Sequence, residues 1–270
     1  MTGTIFYETL RRSWRQVIYW GLGLGLYAIY PFLLMPDQAG LEEYVDLLEG
    51  MNAGMLKAFG ISDAALISTP EGFVGYSYFG FLLLILGVFA VIAGLNVSAN
   101  EEDAGILDMF MSLPVPRWQI IVEKLLAYSV MVVAISMIGF VGLLIGDALS
   151  PQPVDIATSR YLEGSFNLIP GTLLIMTFTA FVATVVKRKS VATAIAGVFV
   201  VLSYLVDAVG RAAGGEVADA VRELSVFAHY DGTTILQSGL VVSSVVALLL
   251  IALALAGGTV AFFERRDIAT

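Results

Sequence analysis

Few side chains in this sequence could carry out chemistry, and their scarcity is informative. The densest group is Glu101-Glu102-Asp103, with Asp108 shortly after it. Cysteine is absent, which removes disulfides, thiolate metal sites and cysteine nucleophiles. His229 is the only histidine, so multi-histidine zinc sites are excluded as well. No G-x-S-x-G elbow, H-E-x-x-H helix or G-x-x-x-x-G-K-[ST] phosphate loop occurs, and the dipeptide Gly-Lys is never written. The chain carries neither hydrolase nor ATPase machinery that a motif would reveal. Any work it does draws its energy from another chain.

The acidic group opens a patterned segment, residues 101–124. Glu101, Glu102 and Asp103 complement the positive end of a helix dipole. Ile106, Met109, Phe110 and Leu113 follow at i, i+3, i+4 and i+7 and form one apolar face. Pro114 removes a backbone donor and ends that helix, and Pro116 suits the first turn of the next. Trp118 fits a membrane interface, with Arg117 and Lys124 reaching toward head groups or a partner. The pattern predicts a short amphipathic helix parallel to the membrane, a corner and a re-entry. An acidic cluster facing anionic lipid is repelled by it, which favours a protein partner; a solvated, well-capped turn accounts for the same residues.

The elements around this segment are membrane spans. Hydrophobic residues make up 58% of the 270 residues and charged ones 14%, against about 25% in soluble domains. Mean hydropathy is +0.87. Uncharged runs long enough to cross a hydrocarbon core of about 30 Å predict an all-α integral membrane protein with six spans, 17–35, 73–97, 125–149, 168–186, 190–209 and 240–263. An even number puts both termini on one side. With the termini in the cytoplasm, ten of the 14 basic residues but only eight of the 23 acidic ones fall inside, as the positive-inside rule requires. Arg11, Arg12 and Arg15 precede the first span as they would a signal peptide. No small-x-small cleavage site follows, so the span is expected to be retained. Residues 4–16 read as an amphipathic interfacial helix or a helical extension of that span. The net charge of −9 speaks against a nucleic-acid partner.

The spans hold almost no ionisable groups. Asp147 and Asp207 lie near outer helix ends, where a carboxylate can reach water. This weighs against a proton-coupled carrier or an intramembrane protease. Two outer segments stand out. In residues 36–72, Leu41, Tyr44, Val45 and Leu48 predict a helix with Glu42, Glu43, Asp46 and Glu49 facing water, and residues 51–60 a second helix. In residues 210–239, Val217, Ala220, Val221, Leu224 and Ala228 form an apolar stripe, and His229 is expected as a hydrogen-bonded loop residue. Small residues let helices approach closely in lipid. Gly21 and Gly25 in the first span, with Ala192 and Ala196 in the fifth, suit packing against another helix.

The loop positions Glu101, Glu102, Gly105, Leu107, Leu113, Pro114, Arg117 and Lys124 resemble the intracellular loop of ABC transporter permeases of the type-2 exporter class. The ending Phe262-Phe263-Glu264-Arg265-Arg266-Asp267-Ile268 is similar to the close of many such permeases. Val115-Pro116 replaces the commoner Val-Ser, and the first outer loop is longer than in minimal members. The resemblance implies a plasma-membrane exporter subunit that moves an amphiphilic or hydrophobic substrate outward. It pairs with a second copy or a related permease, and two separate ATPase subunits bind ATP and Mg; no cofactor is held on this chain. The segment would be the coupling helix, with Glu101, Glu102, Asp103, Gly105, Asp108, Phe110, Met111 and Arg117 at the ATPase contact. In that family the first and fifth spans tend to form the dimer contact, a role that Gly21, Gly25, Ala192 and Ala196 would suit as well as packing within one chain, and segment 210–239 folds back as an exit gate. A scaffold or sensor that binds a partner through the acidic loop is the alternative, and a channel or secondary carrier is a further one.

Overall fold

The computed structural model describes residues 3–61, 64–98, 116–186 and 188–265. Glu101, Glu102, Asp103, Gly105, Asp108, Phe110 and Met111, expected on a coupling helix, lie outside the described residues.

Every described regular element is helical. They run as α1 (Thr4–Leu33), α2 (Gln38–Glu49), α3 (Ala53–Ala58), a 3-10 turn (Ala64–Ser68), α4 (Pro70–Val74), a π turn (Gly75–Phe79) and α5 (Gly80–Val97). After the undescribed connection come α6 (Arg117–Leu149), α7 (Thr158–Val186), α8 (Lys189–Ala213), α9 (Glu216–Arg222), a second 3-10 turn (Phe227–His229), α10 (Ile235–Ser238) and α11 (Val242–Arg265). Six units, α1, the α4–α5 stretch, α6, α7, α8 and α11, are long and apolar enough to span a membrane. Helices satisfy their own backbone groups, which is the condition for crossing hydrocarbon.

Most spans outrun their apolar segments. α6 has 33 residues, about 50 Å at 1.5 Å per residue, and starts at Arg117 rather than at the first uncharged residue. Residues 4–16 are one continuous helix with the first span. The hydrogen-bond ladder does not stop where the side chains turn polar, so the amphipathic stretch prolongs α1.

α1 and α6 run side by side in the same direction, joined along their lengths by glycine contacts. A Cβ on Gly142 would fall 2.6 Å from the Cα of Gly25, so the two backbones approach this closely only because Gly142 lacks one. Farther along, Ser13 and Tyr128 hydroxyls lie 3.5 Å apart. α7 is the most buried span, 72% of its apolar window being enclosed, against 17% in α11. Four of its buried hydroxyls are satisfied within the helix. Thr172, Thr177, Thr179 and Thr184 each donate to the carbonyl four residues back, at 2.7–2.9 Å.

The helices have two ends, here called the termini face (residues near 4, 97, 117, 186, 189 and 265) and the opposite face. On the opposite face, α2 buries Leu48 against Leu56, Ile61, Ala64 and Ile67 as a small satellite core. Asp37 caps α2 by accepting from the Gly40 amide at 2.9 Å. The acidic face of the helix is exposed, as the spacing predicts.

Candidate functional site

At the termini face, Glu123 and Lys124 sit on the second turn of α6, 7% and 3% exposed. Gly3, the N-cap of α1, has φ +92° and no side chain to offer, so α1 begins without a cap of its own. Glu123 supplies it from 120 residues away. Its Oε1 accepts from the Gly3 amide at 2.8 Å, and its Oε2 from the Ile5 and Phe6 amides at 2.9 and 3.0 Å. The Gln119 side-chain amide, one turn earlier on α6, donates to Oε1 at 2.6 Å. A carboxylate at the positive end of a helix dipole is stabilised twice, by charge and by hydrogen bonds. Lys124 reaches the other way and donates to the carbonyl of Val97, the last residue of α5, at 3.2 Å.

The opposite face carries a second buried charge. Asp207, near the end of α8, is fully buried rather than in reach of water. Its carboxylate is held by Arg211 one turn on and by Arg222 Nε of α9 at 2.7 Å. The physical reason lies in the loop: α9 turns Arg222 inward to Asp207, which turns its apolar stripe outward. Val217 and Leu224 are accordingly 80% and 84% exposed. Beside the ion pair, Ser203 and Ser225 hydroxyls lie 3.1 Å apart, and Ser203 accepts from the Val226 amide at 2.9 Å. His229 donates from Nε2 to the Glu223 carbonyl at 3.0 Å, a loop contact as anticipated.

The π turn in the second span has its own supports. A π turn disturbs the regular carbonyl pairing of a helix. Tyr27 of α1 donates to the Ser77 carbonyl at 2.6 Å, and Tyr230 to the Phe79 carbonyl at 2.8 Å. Burial pushes the Tyr230 phenol well above its ordinary pKa, with Tyr78 and Asp231 adding to the effect, so it remains a neutral donor.

Two apolar clefts open on the helical surface. One, of about 340 Å³, is walled by α6, α7 and α11, and its hydroxyls on Ser129 and Thr177 already donate to their own helices. The other, of about 250 Å³, lies between α1 and α5 against Tyr19, Trp20 and Tyr27. Among the described residues, no group of three or more His, Cys, Asp or Glu side chains could hold a metal ion.

Of the residues singled out from sequence, Arg117 is the first residue of α6, half-buried at the termini face. Gly21 and Gly25 face the chain's own interior: a Cβ on either would meet Ile138 of α6. Ala192 and Ala196 are fully buried, Ala192 in a cluster with Leu95, Val182 and Ala183. The small residues thus serve packing within the chain. The outward faces of the same helices are large and apolar, with Leu22 and Leu26 on α1 and Val198, Leu202 and Leu205 on α8. Sequence reasoning missed the role of Glu123, although a helix beginning directly after an uncapped glycine signals a missing anion.

A family model described as ABC-2 family transporter protein matches residues 4–268, nearly the whole chain. No curated protein matches it significantly.

Proposed function

We propose, from the premise that this chain belongs to the ABC-2 transporter family, that it is the membrane-spanning subunit of an outward-directed pump driven by a separate ATPase. The chain is a multi-pass membrane protein and a permease component of an ABC transporter. The observation that carries the reading is the extent of the family match, which takes in all six apolar helices and the connection between α5 and α6. Members of the family are membrane components without an ATPase of their own.

The finer reading is as follows. Both termini and the connection 99–115 face the cytoplasm of a plasma-membrane protein, in keeping with the bias of basic residues. Two ATPase subunits, which bind ATP and Mg, dock beneath a pair of permeases. Glu101, Glu102, Asp103, Gly105, Asp108, Phe110, Met111 and Arg117 make the contact, charge setting the register and Phe110 or Met111 anchoring it. The second permease, a copy or a related chain, packs against α1 and α8 through their exposed apolar faces rather than through the four small residues. Carbon-lined clefts support a substrate with a substantial apolar part.

The test is co-expression with an ATPase encoded beside it, followed by purification through a tag on this chain. The reading expects the ATPase to co-purify and hydrolyse ATP, and Glu101→Lys with Glu102→Lys to break assembly or transport. Wild-type assembly and transport in that double variant would reject the docking site. External labelling of a cysteine placed in 99–115 would reject the orientation.

A further inference from the structure

We propose that Glu123 and Lys124 bind three helix ends at the termini face, the starts of α1 and α6 and the end of α5, into one unit that moves together. Glu123 is its positioning residue. The inference rests on the permease reading for its purpose, since force entering there would then reach three spans at once, but it rests on geometry for its existence.

Two neighbouring residues of α6 hold opposite poles of two other helices. Glu123 meets the positive end of α1 through the amides of Gly3, Ile5 and Phe6. Lys124 meets the negative end of α5 through the Val97 carbonyl. Each charge is placed where the helix dipole favours it, and both are buried. The donors on α1 are backbone groups, which cannot swing aside as side chains do; to leave Glu123, the helix itself must shift or unwind. Gln119 fixes the carboxylate from the same helix, so the tie has little play. Beyond it, the glycine contact of Gly25 with Gly142 keeps α1 on α6 toward their far ends. A displacement of the first turns of α6 therefore carries α1 along. The segment 99–115 joins the ends of α5 and α6, so a pull on it acts on helix ends already tied to one another.

The native chain contains no cysteine, which allows clean site-directed labelling. Tyr7 and Trp118, both exposed, are replaced by cysteine and spin-labelled, and the distance distribution is read by pulsed electron paramagnetic resonance in lipid nanodiscs. The expected result is one narrow distribution that stays narrow with and without ATP when the ATPase is bound. Glu123→Ala should broaden it and speed amide exchange at Ile5 and Phe6 about tenfold, the scale of a lost N-cap. Glu123→Gln, which keeps one acceptor oxygen, should recover part of both. Lys124→Met should loosen α5 and add less than its own effect in the Glu123→Ala background, because the two act as one device. In the complex, Glu123→Ala should lower substrate moved per ATP hydrolysed while subunits remain assembled. Unchanged exchange and distance in Glu123→Ala would overturn the proposal, as would α1 and α6 starts that separate in the wild type on ATP binding. If Glu123→Ala does not fold, Glu123→Gln and Lys124→Met decide by the same measurements. A wild-type chain that recruits no ATPase would sink the permease reading alone; distance and exchange would still decide the tie.

Discussion

Among the described residues, each face of the molecule has one buried carboxylate, and the two are used differently. Glu123 at the termini face accepts from backbone amides of a distant helix, so its neutralising partner is a helix dipole. Asp207 at the opposite face accepts from two guanidinium groups on long side chains, one on its own helix and one on the short α9. A carboxylate on backbone amides fixes a whole span as a body. A carboxylate on arginines fixes a peripheral segment and leaves the span free. The difference matches the division of the fold, in which α1 zips along α6 while α9 has no buried residue at all.

The comparison can be broken most forcefully at Asp207. Asp207→Ala leaves two partly buried cations facing each other without an anion, and breaking a buried pair in this way costs about 3 kcal/mol or more. Thermal unfolding in detergent should show the largest loss of the set. Glu123→Ala leaves neutral amides instead of cations, so its cost should be smaller, about 2 kcal/mol, the upper range for a lost cap. If Glu123→Ala proved the more damaging of the two, the distinction between dipole and ion-pair ties would fail.

Tyr230→Phe removes one neutral hydrogen bond from the π turn. It should cost about 1 kcal/mol and reveal itself as faster exchange around Phe79. The smallest effect belongs to Glu8→Ala. Its contact with Arg12 is exposed and 3.9 Å long, so stability should change by less than about 0.5 kcal/mol at any salt concentration.

Part of the functional geometry could be read directly from residue order. Proline before a helix start is a local signal, legible without a fold: Pro116 is the N-cap of α6 and Arg117 its first residue, while the pattern expected over 101–113 lies outside the described residues. His229 as a loop residue was legible for the same reason. Asp207 was misjudged because position along a helix gives height but not direction. Whether a carboxylate near a helix end meets water or arginine depends on where Arg222 is carried by the loop, fifteen residues later. Gly21, Gly25, Ala192 and Ala196 were legible as close-contact residues, yet small size alone does not say which helix will approach.

The sequence by itself determined the class of this protein and the number and order of its spans. Hydrocarbon thickness sets the length of an apolar run, and the need to satisfy every backbone group inside it leaves the helix as the local solution. Tertiary structure alone decided which face of each span turns inward, that α1 would be capped by Glu123, and that Asp207 would be sealed by Arg222. A span apolar on all sides carries no periodic mark of its buried face, and hydrogen bonds between residues 15 and 120 positions apart exist only once the helices have packed.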